Sequence, residues 1–343
     1  MRQKVVLVTG ANGEIGHGLI KHLHQQSDAN IVALDVVPLD KELRNLVSTY
    51  IVGDVLDQML LGRLVVEHEI ATIYHLASIL STKAEYNPET AHRINVEGTL
   101  NLLRLAVEQS QWQGESVMFV YPSSIAAYGI PTLRDKANAG AVIEEVWNYP
   151  STMYGCNKLY CEHLGRYYNS YYRQLAADHE VKQTVDFRAI RFPGLISAET
   201  VPTGGTSDYG PEMLHAAAKG EEYSCFVRPD TIIPFMVMPD AIKSLVSLAA
   251  VSKNRLSKYV YNVTSFSITA QQIFDIVKTA FPAAKIHFAV DEKRQKIVDT
   301  WPEKVDDSAA RRDWDWKPDY DCDRSFREYL IPAIRDRYQN KQN

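Results

Sequence analysis

The chain has 343 residues, 45% of them hydrophobic and 23% charged, a composition typical of globular proteins. The formal net charge is −5 and no tract is rich in lysine or arginine, so we expect no nucleic-acid partner and no anionic membrane partner. Every apolar run is far shorter than the roughly 20 residues of a transmembrane helix, and Met1 leads directly into a strand pattern without room for a signal peptide. The four cysteines form no CxxC pair and the histidines lack partners for metal binding, which predicts a cytoplasmic protein without a metal site.

The first half alternates short β-branched runs with helical patterns, which is typical of βαβ units and a parallel sheet. The predicted strands are Val5–Thr9, Ile31–Asp35, Tyr50–Gly53, Thr72–Leu76, Met118–Ser123 and Asp186–Phe192. The predicted helices are Glu14–Gln25, Met59–Glu67, Pro88–Gln109 and Met153–Ala177. The fold class is therefore α/β, a Rossmann-type doubly wound parallel sheet.

The alternation of strand and helix patterns ends after Pro193. Val201–Tyr209 is rich in Pro, Gly and Thr, a composition that suits a ligand-binding loop. Shorter elements are predicted beyond it, namely helices at Pro211–Lys219 and Thr269–Phe281 and strands near Tyr223–Val227 and Tyr259–Asn262. We expect residues 1–193 to form a dinucleotide-binding domain and residues 194–343 to form a smaller α/β substrate-binding lobe, with some elements interleaved.

A glycine-rich turn follows the first predicted strand. Its glycines are spaced G-x-x-G-x-x-G and a helix pattern begins within it. Glycines permit a tight turn and close backbone approach, and the helix N-terminus presents N–H groups to a pyrophosphate. The predicted contacts of this turn with a dinucleotide are Gly10, Asn12, Gly13, Glu14, Ile15 and Gly16.

The ends of later strands complete the predicted cofactor site. Asp35 lies nineteen residues after Gly16, where a carboxylate can accept hydrogen bonds from the adenosine ribose. Its charge would repel the additional phosphate of NADP, so the predicted cofactor is NAD. Residues expected to meet the adenine, the pyrophosphate and the nicotinamide ribose are Asp54, Val55, Leu76, Ala77 and Ser78.

Tyr154 and Lys158 lie four residues apart on a predicted helix and share one face. An ammonium near a phenol favours the phenolate, so we expect Lys158 to lower the pKa of Tyr154. Such a tyrosine can take the proton of an alcohol while hydride leaves the same carbon. One serine of the Ser123-Ser124 pair, at the end of the fifth predicted strand, can bind the substrate oxygen; a strand-end cap is the structural alternative.

This order of glycine turn, serine pair and Tyr-x-x-x-Lys resembles the extended short-chain dehydrogenase/reductase superfamily over nearly the whole chain. By register with that superfamily, Ser124 is the catalytic serine and Asn95 supports the cofactor site. The superfamily contains dehydrogenases, epimerases and dehydratases, so this resemblance alone leaves the reaction open.

The second half resembles the short-chain type of L-threonine 3-dehydrogenase. The similar motifs are Arg191–Ser197, Gly204–Tyr209, Cys225–Thr231, Met238–Ala241, Trp301-Pro302, Asp306–Arg311 and Asp313–Lys317. The resemblance implies NAD-dependent oxidation of a small hydroxy or amino acid, foremost L-threonine to 2-amino-3-oxobutanoate, with Tyr154 as general base and Lys158 as its partner. It adds Leu195 to the cofactor contacts. It implies a substrate site of Ser81, Ser124, Tyr154, Thr206, Ser207 and Trp301.

The chain departs from that family's pattern at Lys83, Phe235 and Val237. We expect Phe235 and Val237 to lie near the substrate pocket, so these changes bear on the exact substrate. Gln174–Gln183 resembles an insertion. A sugar-nucleotide epimerase or sugar-acid dehydrogenase would use the same cofactor half. An epimerase, however, needs basic groups for a nucleotide diphosphate, whereas the loop at Thr203–Tyr209 suits a smaller ligand. A redox-sensing NAD-binding regulator is the non-enzymatic alternative, and such proteins tend to lack the Tyr/Lys pair.

The resemblance also implies partners. A homodimer is expected, with Pro88–Gln109 and Met153–Ala177 pairing across a two-fold axis. Because a β-keto acid readily loses CO2, the implied pathway partner is a 2-amino-3-oxobutanoate:CoA ligase.

Overall fold

The computed structural model describes residues 3–26, 29–176 and 184–339. Its strands are β1 Lys4–Thr9, β2 Asn30–Asp35, β3 Thr49–Val52, β4 Glu69–His75, β5 Val117–Ser124, β6 Ala141–Val142, β7 Val185–Phe192, β8 Gly194–Ile196, β9 Glu222–Cys225, β10 Ile232–Val237, β11 Val260–Asn262, β12 Phe266–Thr269, β13 Lys285–Phe288 and β14 Lys304–Val305.

The α-helices cover both halves of the chain. They are α1 Glu14–Gln26, α2 Lys41–Arg44, α3 Gln58–Glu67, α4 Ser81–Tyr86, α5 Pro88–His92, α6 Gly98–Gln113, α7 Leu133–Asn138, α8 Met153–Ser170, α9 Tyr209–Lys219, α10 Met238–Ala250, α11 Ala270–Ala280, α12 Glu292–Asp299, α13 Ser308–Trp314, α14 Cys322–Arg324 and α15 Ile331–Gln339. None of the described helices has the length and apolarity that a membrane crossing requires.

A parallel sheet organises the molecule. In the described residues its seven strands run in the order β3-β2-β1-β4-β5-β7-β11, and every adjacent pair is parallel. All six strands predicted for this sheet are present, and their ends differ from the prediction by at most three residues. The order reverses between β1 and β4, so the carboxyl ends of these two strands flank the crevice where such sheets bind ligands.

Both faces of the sheet are covered, which confirms the doubly wound α/β prediction. On one face α3, α6 and α8 cover the sheet, and their side chains Leu64, Leu103 and Cys161 belong to the same apolar cluster as Phe119 of β5. On the other face α1 and α10 pack against the sheet through Leu19, Leu245 and neighbouring apolar side chains. Parallel strands require this double cover, because both sides of each strand carry apolar side chains.

The smaller lobe contains the sheet β8-β10-β12, the pair β9-β13, and helices α9, α11 and α15. Tyr209, Phe235 and Ile273 lie in its apolar core. The two halves of the chain interleave, because β11 pairs with β7 and α10 covers the central sheet. The assignment of cofactor binding to residues 1–193 and of substrate binding to residues 194–343 stays a prediction.

The predicted helix Pro88–Gln109 is wrong as one continuous α-helix. It is divided into α5, a π-turn at Arg93–Glu97 and α6, which continues to Gln113 and ends where Gly114 adopts a φ of 76°. The π-turn has a local cause, since the side chain and carbonyl of Asn95 are both bound by neighbouring groups rather than by solvent.

The predicted helix Met153–Ala177 is too long. Helix α8 ends at Ser170, and Arg173 adopts a left-handed φ of 54°. Tyr168 and Tyr172 stack with ring centroids 4.6 Å apart, a contact that the turn permits. Ala177 lies outside the described residues. So does most of Gln174–Gln183, the segment that resembles an insertion.

Candidate active site

A cleft of about 240 Å³ opens at the carboxyl edge of the central sheet, where β1 and β4 diverge. Both halves of the chain contribute to it. The predicted site residues that line it are Gly10, Gly13, Glu14, Ile15, Gly16, Leu76, Ser78, Ser81, Ser124, Tyr154, Lys158, Leu195, Ser207 and Trp301. The predicted site residues that do not line it are Asn12, Asp35, Asp54, Val55, Ala77, Asn95 and Thr206.

The glycine turn presents bare backbone to the cleft. Gly10 has a φ of +64°, and a Cβ atom there would lie 2.5 Å from the backbone nitrogen of Ala77. Only glycine fits this combination of positive φ and close approach. The turn therefore packs directly on the end of β4, and α1 begins at Glu14 with its N-terminus lining the cleft. A cradle of this kind fits the pyrophosphate of a dinucleotide.

Asp35 is oriented by two backbone groups. Its Oδ2 accepts a hydrogen bond from the Asn12 nitrogen at 2.9 Å, and its Oδ1 accepts one from Val37 at 3.2 Å. The Asn12 side chain accepts in turn from the Asp40 nitrogen at 2.9 Å. Each carboxylate oxygen of Asp35 retains a lone pair for a ribose hydroxyl, so this edge of the site also fits NAD.

The two residues expected near the adenine have different surroundings. Asp54 follows β3, the strand beside β2, and its Oδ1 accepts from the Leu56 nitrogen at 2.9 Å. Val55 is buried, and its carbonyl accepts from the Asn101 side chain at 3.2 Å. The geometry therefore leaves Asp54 the better placed of the two for an adenine contact.

Asn95 fixes the loop that follows β4. Its Oδ1 accepts from the Ile79 nitrogen at 2.7 Å and from the Ser78 hydroxyl at 3.1 Å, while its Nδ2 donates to the Ile79 carbonyl at 3.1 Å. The residue is only 2% exposed. These bonds engage both ends of the amide, so Asn95 positions a loop that lines the cleft; direct contact with NAD stays a prediction.

A buried hydrogen-bond chain, which sequence reasoning missed, joins this loop to the glycine turn. His75 Nδ1 lies 2.8 Å from the Thr9 hydroxyl, and its Nε2 lies 3.0 Å from the Thr99 hydroxyl. Thr99 donates its one hydroxyl hydrogen to the Asn95 carbonyl at 2.6 Å, so His75 Nε2 carries a proton and Nδ1 accepts from Thr9. Burial lowers the pKa of His75 to about 3, which keeps the ring neutral.

The two serines at the end of β5 have different partners. The Ser123 hydroxyl donates to Glu162, whose carboxylate also forms a bidentate pair with Arg191 at 2.8 and 2.6 Å. Ser124 is partly exposed, and its hydroxyl accepts from the Ala126 nitrogen at 3.1 Å. Because Ser123 is committed to a buried ion pair, Ser124 is the serine whose hydroxyl is free to meet a substrate.

Helix α8 begins directly against the turn that follows Ser124. The Thr152 hydroxyl caps the helix by accepting from the Gly155 nitrogen at 3.0 Å. A Cβ atom on Gly155 would lie 2.1 Å from the Ala126 carbonyl, so the two backbones touch. This contact places Tyr154, the second residue of α8, in hydrogen-bonding reach of Ser124.

The expected effect of Lys158 on Tyr154 is wrong for this structure. Burial raises the pKa of Tyr154 above its usual value of about 10, and the hydrogen bond with Ser124 offsets only part of that rise. Burial also lowers the pKa of Lys158 to about 8. Its ammonium donates to the Pro122 carbonyl at 2.7 Å and lies 5.4 Å from the Tyr154 ring centroid. Removal from water disfavours both charged forms, which outweighs their mutual attraction.

The opposite end of the cleft carries short hydroxyls. Thr206 donates to the Ser81 hydroxyl oxygen twice, from its nitrogen at 3.1 Å and from its own hydroxyl at 3.0 Å. Thr206 is 2% exposed and supports Ser81 from behind, whereas Ser81 and Ser207 line the cleft. Trp301, 4% exposed, forms one wall.

Several residues that line the cleft were not predicted, and Leu80 and Asp208 are two of them. Leu80 lines the cleft beside Ser81, and Asp208 lines it beside Ser207. The Asp208 carboxylate accepts from the Gly205 nitrogen at 2.6 Å, which holds the loop around Thr206. Both residues are sequence neighbours of predicted ones, and that adjacency was the available signal.

The three residues at which the chain departs from the family pattern, Lys83, Phe235 and Val237, do not line the cleft. Phe235 and Val237 are fully buried in the core of the smaller lobe, and Lys83 is exposed on α4. None of the three is among the described residues that line the cleft. Phe235 is nevertheless near the pocket, as expected, because its ring packs behind Gly194, a residue that lines the cleft.

Comparison with known proteins agrees with this geometry. The model of the NAD dependent epimerase/dehydratase family matches residues 6–264. The mitochondrial L-threonine 3-dehydrogenase of Bos taurus is 33% identical over 319 residues, which cover 93% of this chain and 80% of that protein. The solved L-threonine dehydrogenase of Clostridium difficile superposes with a TM-score of 0.84 at 31% identity, over 98% of this chain and 99% of that one.

A second solved structure bears on assembly. A monomeric L-threonine 3-dehydrogenase from a metagenome, in its apo form, superposes with a TM-score of 0.83 at 31% identity, over 97% of this chain and 100% of that one. The fold, the dinucleotide cradle and the family match converge on one class of protein. The chain belongs to the NAD-dependent epimerase/dehydratase family and is an NAD-dependent oxidoreductase of the extended short-chain type.

Proposed function

We propose that the protein oxidises the 3-hydroxyl of L-threonine to the ketone of 2-amino-3-oxobutanoate, with NAD as acceptor. The observation that carries this proposal is the cleft itself, which joins the Ser124–Tyr154 pair to a small end lined by hydroxyls. The similarity to L-threonine dehydrogenases, which extends over more than nine-tenths of the chain, supports the same substrate.

Ser81 suits the substrate carboxylate. Its oxygen already accepts two hydrogen bonds from Thr206, so the remaining hydroxyl hydrogen of Ser81 is free to donate into the cleft. Ser207 adds a second hydroxyl on the same side. Trp301 supplies an apolar wall that excludes water from the reacting carbon. This set fits a small zwitterion and assigns Thr206 a supporting role.

The chemistry is a proton abstraction coupled to loss of hydride from one carbon. Tyr154 takes the hydroxyl proton, and Ser124 orients the hydroxyl by hydrogen bonding. Because burial raises the pKa of Tyr154, the phenolate that takes the proton needs nearby positive charge, and Lys158 behind the tyrosine together with bound NAD would supply it. Bound in the cradle of the glycine turn, NAD supplies the hydride acceptor and a positive charge.

Lys158 is the one basic side chain among the described residues that line the cleft. A nucleotide diphosphate sugar would place two phosphates in the substrate half, where no cation meets them within that lining. The geometry therefore favours the small hydroxy acid over a sugar-nucleotide epimerase or a sugar-acid dehydrogenase substrate.

NADH formation with L-threonine, D-threonine, L-serine and 3-hydroxybutyrate tests the proposal. We expect L-threonine to give the highest kcat/KM, and no turnover above the other three would overturn the substrate assignment. UDP-sugars in parallel test the epimerase alternative, whose products need no net NAD reduction. A coupled assay with a 2-amino-3-oxobutanoate:CoA ligase, the proposed pathway partner, should yield glycine and acetyl-CoA.

We further propose a cytoplasmic homodimer that pairs α6 and α8 across a two-fold axis. The outward face of α8 carries Tyr160 and Tyr167, which are 54% and 40% exposed. All four cysteines are free, as is usual in a reducing compartment. Fractionation of cells that express the native gene tests the location.

A further inference from the structure

A buried lysine lies outside the cleft and has no part in the proposed chemistry. Lys136, on α7, is 4% exposed, and its ammonium donates to the Val298 carbonyl at 3.2 Å. Val298 is in the last turn of α12, where carbonyls lack helical partners and carry partial negative charge. Lys136 thus caps the C-terminus of α12 from a different part of the chain.

The Val298 carbonyl also binds the backbone of Trp301, the residue that forms one wall of the cleft. The backbone nitrogen of Trp301 donates to the Val298 carbonyl at 3.1 Å, so this oxygen accepts from both the Lys136 ammonium and the Trp301 backbone. The two donors converge on one oxygen from different parts of the chain, so together they hold the Val298 carbonyl in one orientation. The position of the Trp301 backbone therefore depends on the carbonyl that Lys136 binds.

Thr300, which lies between Val298 and Trp301, forms hydrogen bonds with residues that flank α7 and α8. Its carbonyl accepts from the Ile130 nitrogen at 2.8 Å. Its hydroxyl donates to the Ile297 carbonyl at 2.8 Å, so in the 3.1 Å contact with Ser151 the serine is the donor. Ser151 precedes α8, the helix of Tyr154. The segment that bears Trp301 is thus fixed to both α7 and the start of α8.

Charged groups around Lys136 partly offset the effect of burial on its pKa. Asp299, Glu303 and Asp230 attract the ammonium and Arg228 repels it, while Arg228 itself forms a bidentate pair with Asp299 at 3.0 and 2.8 Å. Burial is the larger effect and lowers the pKa of Lys136 to about 8. A lysine is therefore retained in a site that disfavours its charge, which calls for a specific use.

We propose that Lys136 is a positioning residue that fixes Trp301 as the wall of the substrate site and so sets the affinity for the substrate. This inference rests on the proposed function, because it requires the substrate to meet Trp301. Lys136 itself touches neither the cleft nor the reacting atoms. Its loss should weaken substrate binding and leave the chemical step and NAD binding largely intact.

Three variants test the proposal: Lys136→Met, Lys136→Arg and the matched control Lys296→Met, an exposed lysine on the same helix α12. We expect Lys136→Met to raise the KM for L-threonine roughly tenfold, as for the loss of one hydrogen bond to a charged group, with kcat and the KM for NAD within about twofold. Lys136→Arg should retain most of the affinity, and Lys296→Met should match the parent. An unchanged KM in a folded Lys136→Met protein would overturn the proposal.

A readout without substrate separates this inference from the proposed function. Hydrogen exchange of residues 298–303 should be faster in Lys136→Met than in the parent and in Lys296→Met, whatever the substrate proves to be. If the parent fails to oxidise L-threonine yet exchange rises, the positioning role stands and the substrate assignment falls. Equal exchange in all three proteins contradicts the positioning role.

The pH dependence gives a second discriminating result. As pH rises through about 8 the parent's Lys136 loses its proton, so its KM for L-threonine should increase there. Arginine stays charged over this range, so Lys136→Arg should show a flatter KM profile. Identical profiles for a folded Lys136→Arg protein and the parent would count against the proposal.

Discussion

Tyr154 is the residue on which the proposed chemistry depends most. Tyr154→Phe removes the phenolic oxygen and keeps the ring, so we expect kcat to fall by about 10²- to 10⁴-fold, the usual contribution of a general acid–base group. NAD binding should be retained. Steady-state kinetics and NADH fluorescence titration measure the two quantities. Tyr86→Phe, 79% exposed on α4, is the control and should leave both unchanged. Activity of Tyr154→Phe within threefold of the parent would mean that another group takes the proton.

Glu14 gives the cofactor site a predicted pH dependence. Burial, and secondarily the facing charge of Asp208, raise the pKa of Glu14 to about 7. Below that pH the side chain is neutral, and above it a carboxylate stands at the turn that receives the pyrophosphate. We therefore expect the Kd for NAD to increase above pH 7, by at most about tenfold per pH unit, since one proton is linked to binding.

Glu14→Gln tests this expectation, because glutamine has the same shape and no charge. The variant should lack the rise in the Kd for NAD between pH 6 and 7.5, below the titration of Lys158, as measured by calorimetry. Since the folded-state pKa is raised, the stability linked to the protonated form is lost as pH rises through about 7, so Glu14→Gln should gain more Tm at pH 8 than at pH 5. Glu221→Gln, an exposed control, should keep the parent profile. A pH-dependent Kd in Glu14→Gln would assign the effect to another group.

Single residues differ in how far the sequence could predict them. The strand and helix context predicted the tight turn at Gly10 and the position of Asp35 at the end of β2, because both are set by local backbone geometry; their contacts with NAD stay predictions. The pKa of Tyr154 was wrong in direction, because burial depends on side chains distant in sequence. Phe235 lies near the pocket as expected, but it packs behind Gly194 and does not line the cleft, since a motif fixes its neighbours along the chain and not the face it presents.

At the scale of elements, regular patterns were predictable and irregular ones were not. The strands of the central sheet carry continuous β-branched runs, which require no tertiary information. The π-turn at Arg93–Glu97 depends on hydrogen bonds between Asn95 and the loop after β4, and nothing in the local sequence predicts it. The end of α6, by contrast, was predictable from Gly114, a residue type suited to a left-handed helix terminus.

Helix α8 packs so closely on β7 that one glycine determines the spacing. A Cβ atom on Gly165 would lie 2.2 Å from the ring of Phe187, and that ring is held by stacking on Phe119. We expect Gly165→Ala to destabilise the protein by about 1–3 kcal/mol, as overpacking does. Denaturant unfolding measures the change.

Gly62 is the matched control for that substitution. It also lies inside a helix, α3, but a Cβ atom there would meet nothing within 4 Å. Gly62→Ala should therefore stabilise the protein by about 0.5–1 kcal/mol, through helix propensity alone. Destabilisation by both substitutions would show that close packing on Phe187 is not the cause.

At the scale of the whole molecule, the cleft forms only where the central sheet and the smaller lobe meet, because each contributes part of its lining. The first half supplies the dinucleotide cradle and the Ser124–Tyr154 pair, while the smaller lobe supplies Ser207 and Trp301. Residues 238–262 then return to the central sheet through α10 and β11. Sequence patterns indicated both parts, but the supports of the cleft, such as the Lys136 cap, join segments more than 160 positions apart and emerge only in the folded chain.

Assembly is the remaining property at this scale. Tyr160 and Tyr167 are spaced to share one face of α8 and are 54% and 40% exposed, which suits burial against a second copy. We expect the parent to be a dimer at micromolar concentration and Tyr160→Arg/Tyr167→Arg to be a monomer, measured by light scattering after size exclusion. The double variant should stay folded, because neither ring lies in the core.

Met59→Arg/Val66→Arg is the control, since these α3 side chains are 88% and 59% exposed and α3, although it covers the same face of the sheet, is not part of the proposed α6–α8 interface. It should remain dimeric. A monomeric parent, like the metagenome relative of similar fold, would contradict the homodimer proposal. Dissociation of the α3 control would instead assign the interface to that surface. The cleft forms within one chain, so monomeric variants should still bind NAD, and loss of binding on dissociation would require a contribution from the partner.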